Sequence, residues 1–406
     1  MKKVVVIGAG ASGLMAAYAA AERGNSVTVL ERNEKAGKKI YITGKGRCNV
    51  TNAVPPDIFL ENVVHNAKFL RGCIYSFPPE RLMRFFEEHG LRLKVERGNR
   101  VFPASDHASD VTKCLEKACI GAGVRFQYNG KVSEIQKTGE EFCVRFDGGV
   151  LNADAVILCT GGVSYPGTGS TGDGYVFAEK FALNLIPRKP ALCGIECEMD
   201  GLRMLQGLSL KNVRISAYCG QKTVGSFFGE LLFTHFGVSG PIVLSLSSLL
   251  NAQPIKNVKL NIDLKPAMGA EILDKRILRD FEPAKNKQIQ NALGRLLPKS
   301  LILPVLHFAH ILPDVPVNSI TREQRAALVR AVKAFPLTPL SLRPIGEAIV
   351  TSGGVDVKEV DPKTMESKKV SGLYICGELL DVDAFTGGFN LHIAFATGYA
   401  AGMAIA

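Results

Sequence analysis

The stretch KVVVIGAGASGLMAAYAAAERGNSVTVLER, residues 3–32, decides the fold. Lys3 to Ile7 is a β-branched run without polar alternation, the pattern of a strand buried on both faces of a parallel sheet. Gly8-Ala9-Gly10-Ala11-Ser12-Gly13 follows at once, a G-x-G-x-x-G turn. Leu14 to Arg23 is alanine-rich and reads as a helix, Gly24 ends it, and Ser26 to Leu30 is a second buried strand finishing at Glu31 and Arg32. Each glycine has a mechanical reason. Gly8 permits the tight turn, Gly10 lets the backbone approach a pyrophosphate, and Gly13 lets helix pack against strand. Ala11 and Ser12 lie where the helix N-terminus offers free N–H groups and the positive end of its dipole to the phosphates. Glu31, 23 residues after Gly8, stands where a carboxylate accepts both ribose hydroxyls of an adenosine. Strand, glycines, helix, strand and acid at these distances predict a dinucleotide-binding βαβ unit.

Outward from this stretch, 406 residues suggest two or three domains, and 46% hydrophobic with 21% charged residues excludes a disordered chain. No run of 18 uncharged apolar residues occurs, so no membrane-spanning helix is expected. The apolar start breaks into glycines without a cleavage pattern, so it reads as a strand rather than a signal peptide. The ten cysteines include no C-x-x-C pair and several lie in strand-like runs, which argues against a disulfide framework or a zinc site and for a reducing cytoplasm. The seven histidines are scattered, so no metal is expected. The net charge of +11 suits anionic substrates, nucleotides or nucleic acid alike; from Lys265 to Phe335 there are twelve Lys/Arg against six Asp/Glu.

A second glycine string, Gly167 to Gly172, also fits G-x-G-x-x-G, but seven residues including Pro166 separate it from its strand and no acid follows at the right distance. It reads as a loop over a ligand, leading into a helix from Asp173. The strand Ala155 to Cys159 ends in Thr160-Gly161-Gly162, where backbone can press against a ligand at the carboxyl edge of the sheet.

With these pieces the chain resembles the glutathione-reductase/fumarate-reductase class of FAD flavoproteins. The matches are GAGASG with Glu31, ILCTGG, and GLYICGELLDVDAFTGGFNLHIAFATG near the end. The run KKIYITGKGRCNVTN, residues 38–52, narrows the resemblance to a bacterial family of NAD(P)/FAD-dependent oxidoreductases that includes aminoacetone-oxidase-like and bile-acid 4,6-reductase-like enzymes. The resemblance implies non-covalent FAD, bound by Gly8, Gly10, Ala11, Ser12, Gly13, Glu31, Arg32, Lys39, Gly46, Arg47, Cys48, Asn49, Val132, Thr160, Gly161, Gly377, Glu378, Gly388, Phe389, Asn390 and Leu391. Gly377-Glu378 stands where the family has Gly-Asp, implying a hydrogen-bonded contact of Glu378 with the ribityl or pyrophosphate part. The Gly46–Asn49 loop lies beside the flavin by the same resemblance. There Cys48 is a redox or nucleophilic candidate if Arg47, Lys45 and Lys39 lower its pKa, and otherwise a small residue in a tight loop. The last helix aims its N-terminus at the flavin, favouring the anionic reduced form, with Asn390 a donor to the same edge. His392 either adds charge there or makes a core contact. For a substrate proton the candidates are Tyr165, His235 and Asp383.

The expected fold class is α/β: a Rossmann-type FAD-binding domain with an inserted β-rich substrate domain and helical cap. Residues 1–188 and 341–406 form the two parts of the FAD domain, and residues 189–340 the insert, with the cap at about 265–335 and Pro187 to Pro190 a linker. The expected activity is an FAD-dependent oxidoreductase passing hydride between flavin N5 and a small organic substrate, reducing an activated C=C bond, with NAD(P)H a transient donor. An amine oxidase using oxygen is the alternative, and an RNA-modifying flavoprotein a third. With 7% aromatics and no Trp, nucleic acid is not the expected partner, and the sequence leaves the oligomeric state open.

Overall fold

The computed structural model describes residues 1–198 and 201–405. They divide into two compact units, Met1–Ala191 with Ile345–Ala406, and Leu192–Pro344.

The first unit is built on a five-stranded, all-parallel sheet in the order Leu373–Ile375, Ala155–Leu158, Lys3–Ile7, Ser26–Leu30, Arg125–Gln127. The first strand sits at the centre with crossovers leaving it on either side, so the carboxyl end of Lys3–Ile7 is the switch point where ligands settle in such sheets. Its interior is aliphatic: Val4, Val5, Val6, Val27, Val29, Val156 and Ile157 are all buried. The helix Ala11–Glu22 packs against the last helix, Phe389–Ala404, through small residues. A Cβ on Gly398 would be driven into the Ser12 carbonyl, and one on Gly402 into that of Ala16, so the helices touch along a glycine seam. A three-stranded antiparallel meander spans Val132–Thr138, Glu141–Phe146 and Gly149–Ala153.

Pro187 to Pro190, expected as a linker, instead lies within the strand Leu185–Ala191, which pairs antiparallel with Val350–Val355. The register shifts between Ile186 and Lys189. This irregularity accommodates prolines that have no N–H to give the ladder.

The second unit is a closed six-stranded barrel, ordered Ile195–Glu198, Gly237–Ser239, Lys222–Phe233, Ser209–Cys219, Val258–Asp263, Phe335–Leu342. The helix Pro241–Leu250 and the helices Ala270–Phe281, Lys299–Phe308 and Arg322–Lys333 pack on it around a core that includes Ile215, Phe233, Leu260, Leu301 and Phe335. Thr321 and Gln324 close the start of the last of these with a reciprocal capping box. No helix among the described residues is long and apolar enough to cross a membrane.

Candidate functional site

The glycine turn has the geometry its spacing predicts. Gly8 has φ +100°, and a Cβ there would stand 2.5 Å from the Cys159 carbonyl oxygen. A Cβ on Gly13 would run into the Gly8 carbonyl, so this glycine is required for packing. At Gly10 nothing lies within 4 Å of where a Cβ would be. The backbone there faces open space at the start of Ala11–Glu22, and no side chain caps that helix. Amides at an uncapped helix start are an anion cradle.

Glu31 is buried at the tip of the second strand. Its Oε2 accepts from the Ala9 N–H (2.7 Å), and its Oε1 from the Asn33 backbone N–H (2.8 Å) and Nδ2 (2.6 Å). An ionised carboxylate has about four acceptor positions, so one remains for a ribose hydroxyl. Arg32 is engaged elsewhere: its guanidinium donates to Thr171 and pairs with Asp173 (3.0 Å), tying the second glycine string to the strand tip.

At the carboxyl edge of the sheet, Lys39 Nζ donates to Ser164 Oγ and Glu378 Oε2, both at 2.6 Å. Glu378 Oε1 accepts from Ser164 Oγ and the Thr351 N–H, both at 2.8 Å. Three of the about four acceptor positions of Glu378 are thus taken, and one remains on Oε2, as on Glu31. Gly161 has φ +74°, and Thr160 Oγ1 is buried without a partner, as is Asn49 Oδ1 in the loop after Gly46. Gly377 has φ +69°, and a Cβ there would press on Ser12 Oγ at 2.7 Å, so the first and last glycine turns meet. Val132 is buried at the start of the meander.

The Gly46–Asn49 loop corrects one expectation. Arg47 does not activate Cys48: its Nε donates to Asp106 (2.7 Å), its Nη2 pairs with Glu96, and its plane lies 4.2 Å from the Phe102 ring centroid. Lys39 is held by Glu378. Cys48 is fully buried with φ +60°, and burial pushes its thiol up to about 12. Burial and the engaged neighbours favour the second of its two readings, a small residue in a tight loop.

The last helix opens at Gly388 (φ +98°), whose missing Cβ lets the Thr51 backbone approach, and no side chain caps it. Phe389 packs edge-on against Phe59, centroids 5.0 Å apart, and Leu391 is partly buried against the core. The Asn390 side chain accepts from the Ala384 N–H (2.9 Å) and donates to the carbonyls of Ala384 (2.7 Å) and Phe385 (3.4 Å), so it clamps its own approach segment. His392 is a core residue between Thr51 Oγ1 and the Phe77 carbonyl, each at 3.0 Å, and burial pulls its pKa down to about 4. It is neutral and adds no charge to the helix start.

Of the proton candidates, Tyr165 is partly exposed at φ +50°, its N–H donating to the Gly346 carbonyl. His235 belongs to the second unit, edge-on to Phe236. Asp383 is wholly buried and bonded to His65 and Ser352. His65 and Ser352 were not singled out in sequence, because neither sits in a motif and only the folded chain joins positions 65, 352 and 383.

The open position at Gly10, two uncapped helix starts and the acid at Glu31 together fit an adenine dinucleotide lying along the sheet edge. Residues 2–404 match the family model described as "HI0933-like protein Rossmann domain". The chain is 33% identical over 410 residues to a 3-dehydro-bile acid delta(4,6)-reductase of Clostridium scindens, covering all of this chain and 99% of that protein. It is 34% identical over 411 residues to a ribosomal RNA dihydrouridine synthase of Haemophilus influenzae, covering 99% of this chain and 98% of that one. Among solved structures, a 3-ketosteroid delta1-dehydrogenase from Sterolibacterium denitrificans superposes with a TM-score of 0.53 at 14% identity, over 99% of this chain and 98% of that one. The chain belongs to the HI0933-like Rossmann family and is an FAD-dependent oxidoreductase.

Proposed function

We propose that this enzyme reduces a carbon–carbon double bond conjugated to a carbonyl group, with NAD(P)H replenishing the reduced flavin. One observation carries the reading. Two relatives, aligned along nearly their whole length, bear names that denote one bond change on unlike substrates. A delta(4,6)-reductase of a 3-dehydro-bile acid and a synthase of dihydrouridine both add hydrogen across an alkene whose electrons drain into a carbonyl.

FAD, when bound, supplies the hydride. The protein's own residues supply position and field. The amides after Gly10 and the Glu31 carboxylate hold the diphosphate and ribose. The start of the helix Phe389–Ala404, left without a side-chain cap, favours negative charge on whatever lies against it. Lys39, Glu378, Ser164 and Thr351 lock the intervening edge into one arrangement, so little reorganisation accompanies the reaction.

Anaerobic spectroscopy tests this. Flavin absorbance near 450 nm should bleach with NADH or NADPH and return on adding a 4-en-3-one steroid. Bleaching by an amine, with return only in oxygen, would establish an oxidase instead.

A second reading has its own support. The unit Leu192–Pro344 holds nineteen Lys/Arg against eleven Asp/Glu, +8 of the chain's +11. Such a balance attracts polyanions. In this reading the acceptor is a uracil within RNA. RNA should then restore the 450 nm band, with binding that weakens steeply as salt rises.

A further inference from the structure

His65 ends the strand Val63–His65 and Asp383 opens the strand Asp383–Ala384; the two residues face each other across an antiparallel pair. Asp383 Oδ1 accepts from His65 Nδ1 at 2.5 Å and from Ser352 Oγ at 3.0 Å. Ser352 Oγ also lies 3.4 Å from the same ring nitrogen. The Asp383 side chain is 0% exposed, and its Oδ2 is buried with no partner. The His65 side chain is 34% exposed, and its Nε2 has no hydrogen-bond partner among the described residues. The imidazole is therefore gripped at one nitrogen and open at the other.

This cluster is fastened to the cofactor edge at two points. Asn390, near the start of the last helix, clamps Ala384, the residue after Asp383. Ser352 follows Thr351, whose N–H holds Glu378. The remaining charges facing His65 are Asp381, held by Asn66, and Lys189. Asp383 and Asp381 favour the imidazolium while burial and Lys189 oppose it, and the Asp383 hydrogen bond prevails, raising the His65 pKa.

We propose that His65, oriented by Asp383 and Ser352, is the proton donor that completes reduction of the conjugated double bond. This rests on the reductase reading above. The substrate's β-carbon gains a hydride, two electrons and one proton, from the reduced flavin. The electron pair of the double bond moves toward the carbonyl, and the α-carbon takes its proton from His65 Nε2. One N–H bond breaks and one C–H bond forms. The imidazole is left neutral and regains its proton from solvent. Asp383 and Ser352 are positioning residues that stabilise the charged ring and fix which nitrogen faces outward.

Two measurements on the full, FAD-loaded chain test this. The first follows the imidazole signals by NMR from pH 5 to 9. His65 should titrate above ~6.5, and Asp383→Asn should bring it down. A wild-type His65 titrating at or below the ordinary value overturns the proposal. The second uses enzyme photoreduced in the absence of oxygen and mixed with a 4-en-3-one steroid or cyclohex-2-enone. His65→Gln should slow return of the 450 nm band by ~10²-fold and abolish the alkaline limb of its pH profile. Ser352→Ala should slow it less while keeping that limb. A His65→Gln enzyme that retains FAD and reoxidises within about threefold of wild type overturns the proposal alone, since the expected effect is at least tenfold larger. Wild-type enzyme that neither these enones nor a uridine-containing RNA reoxidises overturns the reductase reading, and the proton donor with it.

Discussion

At the scale of single residues, burial without a counter-charge decides the chemistry of two motif positions. Cys48 loses its thiolate to desolvation, so it should resist iodoacetamide in the native protein at pH 8 and react only on unfolding, which mass mapping of the adduct would detect. His392 is held neutral with its pKa near 4, against ~6.5 in the unfolded chain. The unfolded state therefore binds the proton first. The stabilisation is complete above about pH 6.5 and is lost as pH falls toward 4, by on the order of 3 kcal/mol. Urea titrations at pH 7, 5.5 and 4 should show the advantage of wild type over His392→Gln shrinking by roughly that amount. The sequence names both residues but carries no sign of burial. Arg47 beside Cys48 reads as an activating charge until Glu96 and Asp106, some fifty residues on, are seen to hold it. His65 was illegible for the same reason: its partner lies 318 positions away.

At the scale of elements, the strand–turn–helix at the start separates two jobs that look alike in a motif. Gly13 is needed by the fold, whereas Gly10 meets no protein atom and is the position we propose to serve the ligand. Gly13→Ala forces a Cβ into the Gly8 carbonyl and should cost at least about 2 kcal/mol, read by denaturant unfolding. Gly10→Ala meets no protein atom, and its backbone angles suit any residue, so stability should stay within about 1 kcal/mol. FAD affinity should nevertheless fall at least tenfold, measured by flavin titration. This element was readable because every contact that shapes it lies within some thirty residues and repeats a simple period. The barrel was not. Its closing strand, Phe335–Leu342, carries Pro336 and Pro339, which disguise it as loop, and closure depends on pairing residues such as Leu260 with Leu337 that no local pattern reveals.

At the scale of the whole molecule, charge and chain path divide the protein unevenly. The unit Leu192–Pro344 concentrates the basic residues, and the cofactor unit carries the remaining +3. Composition alone reports the total but not its partition, because the partition follows the boundaries of folding. Those boundaries lie beside a single pair of strands. Leu185–Ala191 leads out of the cofactor unit, Val350–Val355 leads back into it, and Ala191 sits opposite Val350. Replacing residues 192–344 with a short glycine–serine link should therefore leave a chain that folds and still turns yellow with FAD, checked by its 450 nm absorbance after gel filtration.

That paired exit and return behaves like a socket. A cassette of more than a hundred residues should be exchangeable there while the pairing of Ala191 with Val350 keeps its register. A foreign cassette grafted at the same seam should therefore leave flavin binding intact.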